Sequence, residues 1–528
     1  MNSPCLLPTL LNLHQFVQAI RSQILSLANG PRWVSRSAWM CLDLAIVYVG
    51  LWAAAYLFYA SAPGAAELAT SPTALLITAA FVAALFGTGA YRHEPSQIQL
   101  PVLMRMGIAI VGAGLAASAI LYLWDPGLLL PRGVVALHVL VVGAGILGSR
   151  ALVRLAISRA TPPPSPPAHV PSPLTLYDLV ERPRPAINTN RLRNALTDRT
   201  VLVTGAGGSI GSELMQQLAA LTPFQLVGVD MSEYNLYRLQ HALNDASLSQ
   251  NVDLRLADVR NTRSMQQLFQ TVCPDIVIHT AAYKHVPMME EQPVEAFQNN
   301  TKATMQLLEL SEEYQAEQFL FVSTDKAVQP TSVLGATKRL AEWYVRASTS
   351  SVEHKIVRFG NVFGSRGSVV PRFERRLAQG RPIPVTHPDM ERYFMSAEEA
   401  CSLIMHTLLL DSHPVYLFRM GEPLRIIDLA QQLALRWYPH RDPQELIEQI
   451  GRRPGEKMTE SLAMPHETTE ATTHPSILGV RGTLPYSRAE LDVHIQHLEA
   501  HGRRTDISPA HMRRLIIAAP SASLRSAP

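Results

Sequence analysis

Asp325 and Lys326 stand side by side in VSTDKAVQP, directly after the apolar run FLFV. A carboxyl group beside an ammonium group can supply an acid and a base to one substrate, provided the carboxyl is held protonated and the amine neutral. Partial desolvation close to a second ammonium group, Lys338, is one means to the neutral amine. The segment Ser323-Thr324-Asp325-Lys326 leaves the C-terminal end of a strand, where ligands sit in open parallel sheets. Taken alone, an Asp–Lys pair at a strand end is more often an ordinary turn. A second group lies in VLVTGAGGSIGSEL, where Gly205, Gly208 and Gly211 separate an apolar run from a helix opened by Ser209 and Ile210. Three glycines at this spacing allow a tight turn and bring backbone N–H groups and a helix N-terminus against a pyrophosphate. Asp230 ends the next run, QLVGVD, where a carboxylate accepts from a ribose 2′-hydroxyl and repels a 2′-phosphate, so NAD is preferred over NADP. Asp258 and Val259 in RLADVRN follow a third run, and Ala281 and Ala282 after a fourth leave room for a flat ligand.

Donors for a diphosphate are dense between Arg358 and Arg392: Arg358, Asn361, Arg366, Arg372 and Arg392. A single arginine is more often a solvated surface charge. Lys284 and His285 in AYKHVP lie near the cofactor turn without a role that the sequence defines.

These side chains need a frame. The runs VLVTG, QLVGVD, DIVIHTAA, FLFVSTD and KIVRFGNV alternate with helix-like segments such as SELMQQLAAL, the pattern of an α/β unit with a doubly wound parallel sheet. Ahead of it, TPPPSPPAHVPSP (161–173) excludes regular structure and reads as a linker. Before about residue 160 lie four apolar stretches, near 38–60, 73–91, 106–124 and 133–153, each long enough at roughly 20 residues to cross a bilayer. A signal peptide does not explain the first, which has some 37 residues before it and three more apolar stretches after it. Arg21, Arg32 and Arg36 precede the first stretch, Arg92 and Arg105 flank the second loop, and Arg150, Arg154 and Arg159 follow the fourth. The first and third loops carry Glu67, and Asp125 with Arg132, so both termini are expected in the cytoplasm. Asp43 falls inside the first stretch, as a functional intramembrane carboxylate or, more plainly, one at the interface or paired with another helix.

At 528 residues and 47% apolar content the chain exceeds one ordinary domain. The domain plan is 1–160 for the N-terminal segment and four transmembrane helices, 161–199 for linker and lead-in, 200–485 for the dinucleotide-binding unit with a smaller substrate-binding region, and 486–528 for a tail without legible chemistry. A net charge of +3 gives no electrostatic case for nucleic acid. Cys5, Cys41, Cys273 and Cys401 have neither metal-ligand nor disulfide spacing, which fits a reducing compartment for the soluble part.

Together, TGAGGSIGSE, DMSEYNL, HTAAYKHVPMMEEQP, VSTDKAVQPTSVLGATKRLAE and RFGNVFGSRGSVVPRF resemble the extended short-chain dehydrogenase/reductase superfamily. Within it they most resemble the membrane-bound nucleotide-sugar 4,6-dehydratases of polysaccharide biosynthesis, the CapD type. The resemblance is dense over about 175–465 and concerns layout only in the four-span region. It implies a Rossmann-type fold, NAD, a UDP-sugar (UDP-N-acetylglucosamine by family expectation), a multi-pass bacterial inner-membrane enzyme with its catalytic domain in the cytoplasm, and a homo-oligomer. It further implies that Thr324 binds the sugar C4 oxygen, Asp325 protonates the departing C6 hydroxyl and Lys326 takes the C5 proton, roles for the last two that could be exchanged. Lys338 would hold the nicotinamide ribose, and Asn361 and Arg392 the UDP portion, while RPGEKMTE (453–460) marks the substrate side. Two features depart from the pattern. The nucleotide-binding-like module that long members carry after the membrane region is replaced by the proline-rich linker. The tyrosine usual four residues before the lysine is Leu334, where long dehydratases commonly have methionine. Rival readings are an epimerase on the same scaffold, which needs no acid–base pair for water loss, and a non-catalytic NAD-holding membrane scaffold.

Overall fold

The computed structural model describes residues 32–59, 72–88, 100–124, 132–160, 171–172, 174–180, 189–410, 413–502 and 508–518, so most of the proline-rich linker and the loops carrying Arg21, Glu67, Arg92 and Asp125 lie outside the described residues. It divides into two compact units, Met1–Pro163 and Pro164–Pro528.

The first unit contains helices α1 (Arg32–Tyr59), α2 (Pro72–Gly87), α3 (Leu100–Trp124) and α4 (Arg132–Ala160), each on one of the four apolar stretches. Val47, Leu51, Phe81, Leu85, Met106, Ile110, Val142 and Ile146 pack inside. The outward side chains are also apolar, among them Leu57, Phe86, Ile108, Leu115 and Leu140. Among the described residues two windows, Trp39–Leu57 and Val134–Ala151, are long and apolar enough for a bilayer span, whereas the apolar portions Ile77–Gly87 of α2 and Met104–Ala116 of α3 are shorter. Four spans were expected, and among the described residues two windows meet both length and hydropathy; α2, at 16 residues, rises only about 24 Å against a hydrocarbon core of about 30 Å. Asp43 is fully buried and accepts both Nη groups of Arg150 at 2.6 Å. The Arg150 guanidinium lies 4.2 Å from the Trp39 ring centroid. Asp43 is thus a helix-pairing carboxylate joining α1 to α4.

The second unit is built on a nine-stranded sheet. Its strands are β1 (Thr200–Thr204), β2 (Gln225–Asp230), β3 (Val252–Leu256), β4 (Ile276–His279), β5 (Gln318–Val322), β6 (Glu353–Arg358), β7 (Val415–Phe418), β8 (Thr468–Ala471) and β9 (Ile477–Arg481). The order is β8-β9-β7-β6-β5-β4-β1-β2-β3. β3 through β7 are mutually parallel, and β9 and β8 add an antiparallel edge. Fully buried strands such as TVLVT and IVIH explain the continuous apolar runs in sequence, because helices cover both faces. Strand order reverses on either side of β1, so the crevice between β1 and β4 is the switch point at which such sheets bind ligands. A smaller region with its own core (Val370, Phe373, Leu377, Ile383, Leu429, Leu433) is assembled from the helices Val369–Ala378 and Ile426–Trp437 and three two-stranded pairings.

Candidate active site

A cleft of about 970 Å³ opens at the C-terminal ends of β1, β4, β5 and β6. The glycine turn forms one wall. Gly205 has φ +70°, and a Cβ there would lie 2.7 Å from Ala281 N; a Cβ on Gly211 would lie 2.0 Å from Gly205 O. Only glycine permits this approach of helix α5 (Ser209–Ala219) to the turn. The amides of the first turn of α5 have no intrahelical acceptors and are available to an anion. Asp230 accepts from Gly207 N at 2.9 Å and Ser232 N at 2.8 Å, which fixes its carboxylate beside the turn. This cradle fits a dinucleotide: Gly205, Gly208, Ser209, Ile210 and Gly211 would hold the pyrophosphate and Asp230 the adenosine ribose.

The opposite wall comes from the end of β5 and helix α6 (Val333–Arg346). Thr324 caps a short 3-10 turn, Asp325–Ala327, and Ser332 caps α6 by accepting from Gly335 N at 3.1 Å. A Cβ on Gly335 would come within 2.1 Å of Lys326 O, so glycine there lets α6 press against the turn. Thr324, Lys326, Leu334 and Lys338 all line the cleft, the last two one helical turn apart on α6. Lys326 Nζ donates to Asp325 Oδ1 at 2.9 Å and to Asn361 Oδ1 at 3.1 Å, and lies 3.8 Å from Glu460. Asp325 is fully buried behind Lys326 rather than lining the cleft. Its Oδ1 also accepts from Thr324 Oγ1 at 2.8 Å, and its Oδ2 is without a partner among the described residues.

Lys338 is buried, donates to Val322 O at 2.7 Å and sits 4.0 Å from the Phe321 ring centroid. Burial pushes its pKa down to about 7, against a smaller upward pull from Glu342. Beneath the site Glu342 accepts from Ser323 Oγ at 2.6 Å and from Arg358, which also binds Glu467. Burial works against the Glu342 carboxylate, but Arg358 and Arg339 outweigh it and hold the group below its usual range. Arg358, a candidate phosphate ligand by sequence, is therefore a structural ion in a fully buried network. Removing either partner from such a pair strands a buried charge.

Other sequence candidates are dispersed. Arg260 occupies both oxygens of Asp258 and, through hydrogen bonding that outweighs desolvation, lowers its pKa. Val259 is core. Ala281 packs its backbone against Gly205. Arg392 is buried in the smaller region, donating to the carbonyls of Glu391, Lys457 and Met458. None of these four lines the cleft, whereas Asn361 does, next to Lys326. Tyr283, Lys284, His285 and Arg366 line it as well. Burial, then Arg366, lowers the pKa of Lys284; burial, then Lys284, lowers that of His285. The AYKHVP motif signalled the first three, but their placement depends on a loop more than 70 residues away meeting the turn after β4, as in the contact of Lys284 Nζ with Ser365 Oγ at 3.3 Å (81 residues apart).

The strand order, glycine turn and lysine-bearing helix define a Rossmann unit of the short-chain dehydrogenase/reductase type. Residues 201–481 match the family model described as polysaccharide biosynthesis protein, and the chain belongs to that family. It is 39% identical over 304 residues to the probable polysaccharide biosynthesis protein EpsC of Bacillus subtilis, covering 57% of this chain and 51% of the relative. It is 37% identical over 328 residues to the capsular polysaccharide biosynthesis protein CapD of Staphylococcus aureus, covering 61% of this chain and 54% of the relative. This chain thus spans about half the length of these two relatives. A UDP-glucose 4-epimerase of Rickettsia conorii is 30% identical over 285 residues, 52% of this chain and 80% of the relative.

Proposed function

We propose that the chain is an NAD-dependent 4,6-dehydratase of a UDP-sugar, UDP-N-acetylglucosamine by family expectation, acting in polysaccharide biosynthesis. The observation that carries this reading is the convergence of Thr324, Lys326 and Lys338 on one cleft with the glycine turn, with Asp325 directly behind Lys326. Bound NAD would take hydride from the sugar C4 and return it to C6. Thr324 Oγ1 would hold the C4 oxygen. Lys326 would remove the C5 proton made acidic by the C4 ketone and return a proton there at the end, and the C6 hydroxyl would leave as water with a proton supplied by Asp325, whose carboxyl is held by Thr324 and Lys326 at Oδ1. The unpartnered Oδ2 of Asp325 is an atom on which a proton can reside without displacing a hydrogen bond. Leu334 carries no proton, so Lys338, near neutrality in its pKa, is the group beside it able to accept the C4 hydroxyl proton. Asp230 favours NAD over NADP, and Asn361, on the cleft wall beside Lys326, would contact the UDP portion, whereas Arg392, spent on backbone carbonyls, would hold the smaller region together.

The outward apolar surface of α1 to α4 supports anchoring in a bacterial inner membrane with the catalytic unit in the cytoplasm, because a helix apolar on every side is poorly solvated by water. The kinship with a UDP-glucose 4-epimerase supports a second reading, transient C4 oxidation without loss of water. Incubating the detergent-solubilised chain with NAD and UDP-N-acetylglucosamine and following the sugar by NMR separates the two. A 4-keto-6-deoxy product, lost in Asp325→Asn and Lys326→Ala, is the expected result; a C4 or C2 epimer alone would replace the dehydratase with the epimerase.

A further inference from the structure

We propose that the loop at residues 364–368 is a strap that retains the dinucleotide throughout turnover, and that Arg366 is its cofactor-retaining residue. The loop belongs to the sequence after β6, yet it is fastened to the glycine turn more than 150 residues earlier. Arg366 Nη1 donates to Gly207 O and to Asn235 Oδ1, both at 2.7 Å, and Arg366 N donates to Ser209 Oγ at 3.0 Å. Gly207 and Ser209 flank Gly208, the N-cap of α5, where a pyrophosphate would meet the helix amides. Gly207 N is in turn held by Asp230, so the guanidinium lies at the adenosine side of the cradle.

The other end of the loop is seated on the turn after β4. Lys284 Nζ donates to Ser365 Oγ at 3.3 Å, and a Cβ on Gly367 would come within 2.8 Å of His285 Cε1. Gly364 and Gly367 have φ +67° and +70°, a backbone path that lets the loop make both attachments without side-chain obstruction. Arg366, Gly367, Ser209, Lys284 and His285 line the same cleft.

This inference rests on the proposed dehydratase reading for its purpose. Hydride leaves C4 for NAD and the C4 hydroxyl gives up its proton, a proton leaves C5, hydroxide leaves C6 and takes up a proton to become water, and the same hydride is delivered to C6 as a proton returns to C5. The cofactor ends the cycle oxidised and has no need to exchange. Escape of the reduced cofactor in mid-cycle would instead strand a C4-oxidised sugar, so a retaining contact protects the balance of the reaction.

The test compares the full detergent-solubilised chain with Arg366→Ala and Arg366→Lys. The first readout needs no substrate: NAD(H) that co-purifies, and the rate at which it is lost after rapid desalting. Arg366→Ala is expected to lose NAD about tenfold faster or more, as the loss of two hydrogen bonds from a charged donor implies, and Arg366→Lys to fall between. With UDP-sugar, the alanine variant should release NADH into solution, seen at 340 nm, while the wild type releases none. Loss of NAD from Arg366→Ala at the wild-type rate overturns the proposal, as does a lowered melting temperature of its cofactor-stripped form that accounts for the loss. Slower loss from the wild type than from the variant, with no dehydrated product from either, would uphold the strap and sink the dehydratase reading instead.

Discussion

Lys338→Met is the most informative single substitution, because it should make the cofactor-free protein more stable while abolishing its proposed chemistry. Lys338 is 4% exposed, and burial brings its pKa from 10.5 to about 7. That difference, at about 1.36 kcal/mol per pH unit, makes the charged side chain cost roughly 5 kcal/mol in the folded protein. In the unfolded chain the lysine keeps its proton up to pH 10.5, whereas in the fold it releases it near 7. Unfolding therefore takes up a proton between those values, and stability rises with pH across this window and is flat below it. Methionine is of similar length and uncharged but cannot donate to Val322 O, a loss of about 1–3 kcal/mol. The net gain at pH 7 is then about 2–4 kcal/mol, several degrees in melting temperature for a unit of this size. His279 does not blur the window, because burial, and then Lys338, keep its pKa well below 6.5. Lys284 and His285 titrate in both proteins and cancel in the difference. The assay is thermal unfolding of the cofactor-stripped chain, wild type and variant, from about pH 6 to 9. Equal pH slopes in the two proteins, or a variant less stable than wild type at pH 7, would refute the reasoning.

Two further outcomes follow from the same geometry. Gly211→Ala sets a Cβ 2.0 Å from Gly205 O, a backbone collision that no side-chain rotation relieves; a cost of about 1–3 kcal/mol or more and at least tenfold weaker NAD binding are expected, read by melting and by cofactor titration, and wild-type values for both would contradict the cradle. Asp43→Asn leaves the buried Arg150 charge without its carboxylate, which should destabilise the α1–α4 pairing by about 3–5 kcal/mol; unchanged thermal stability in detergent would show that the pair contributes nothing net.

Local sequence made the glycine turn legible, because Gly205, Gly208 and Gly211 lie within one strand–turn–helix, although the approach of Ala281 to Gly205 is decided by the fold. It likewise determined the parallel strands, whose burial on both faces leaves unbroken apolar runs, and the adjacency of Asp325 and Lys326, which is covalent. The placement of helices on the four N-terminal apolar stretches followed from composition, but their lengths did not, because hydropathy cannot locate the residue at which a helix ends. Only the tertiary structure decided which charges are ligand-facing. Arg358 and Arg366 lie in one arginine-rich stretch and look alike in sequence, yet the first is sealed between Glu342 and Glu467 and the second reaches the cofactor turn. Asp325 and Lys326 are neighbours with opposite fates, one buried and one in the cleft, because successive side chains of the 3-10 turn that carries them project about a third of a turn apart. Arg358, Glu342 and Glu467 come together through strand order and helix packing, and burial then magnifies whatever pairing results. Sequence therefore states which chemistries are available, and long-range contact selects the residues that are solvated, paired or left facing a substrate.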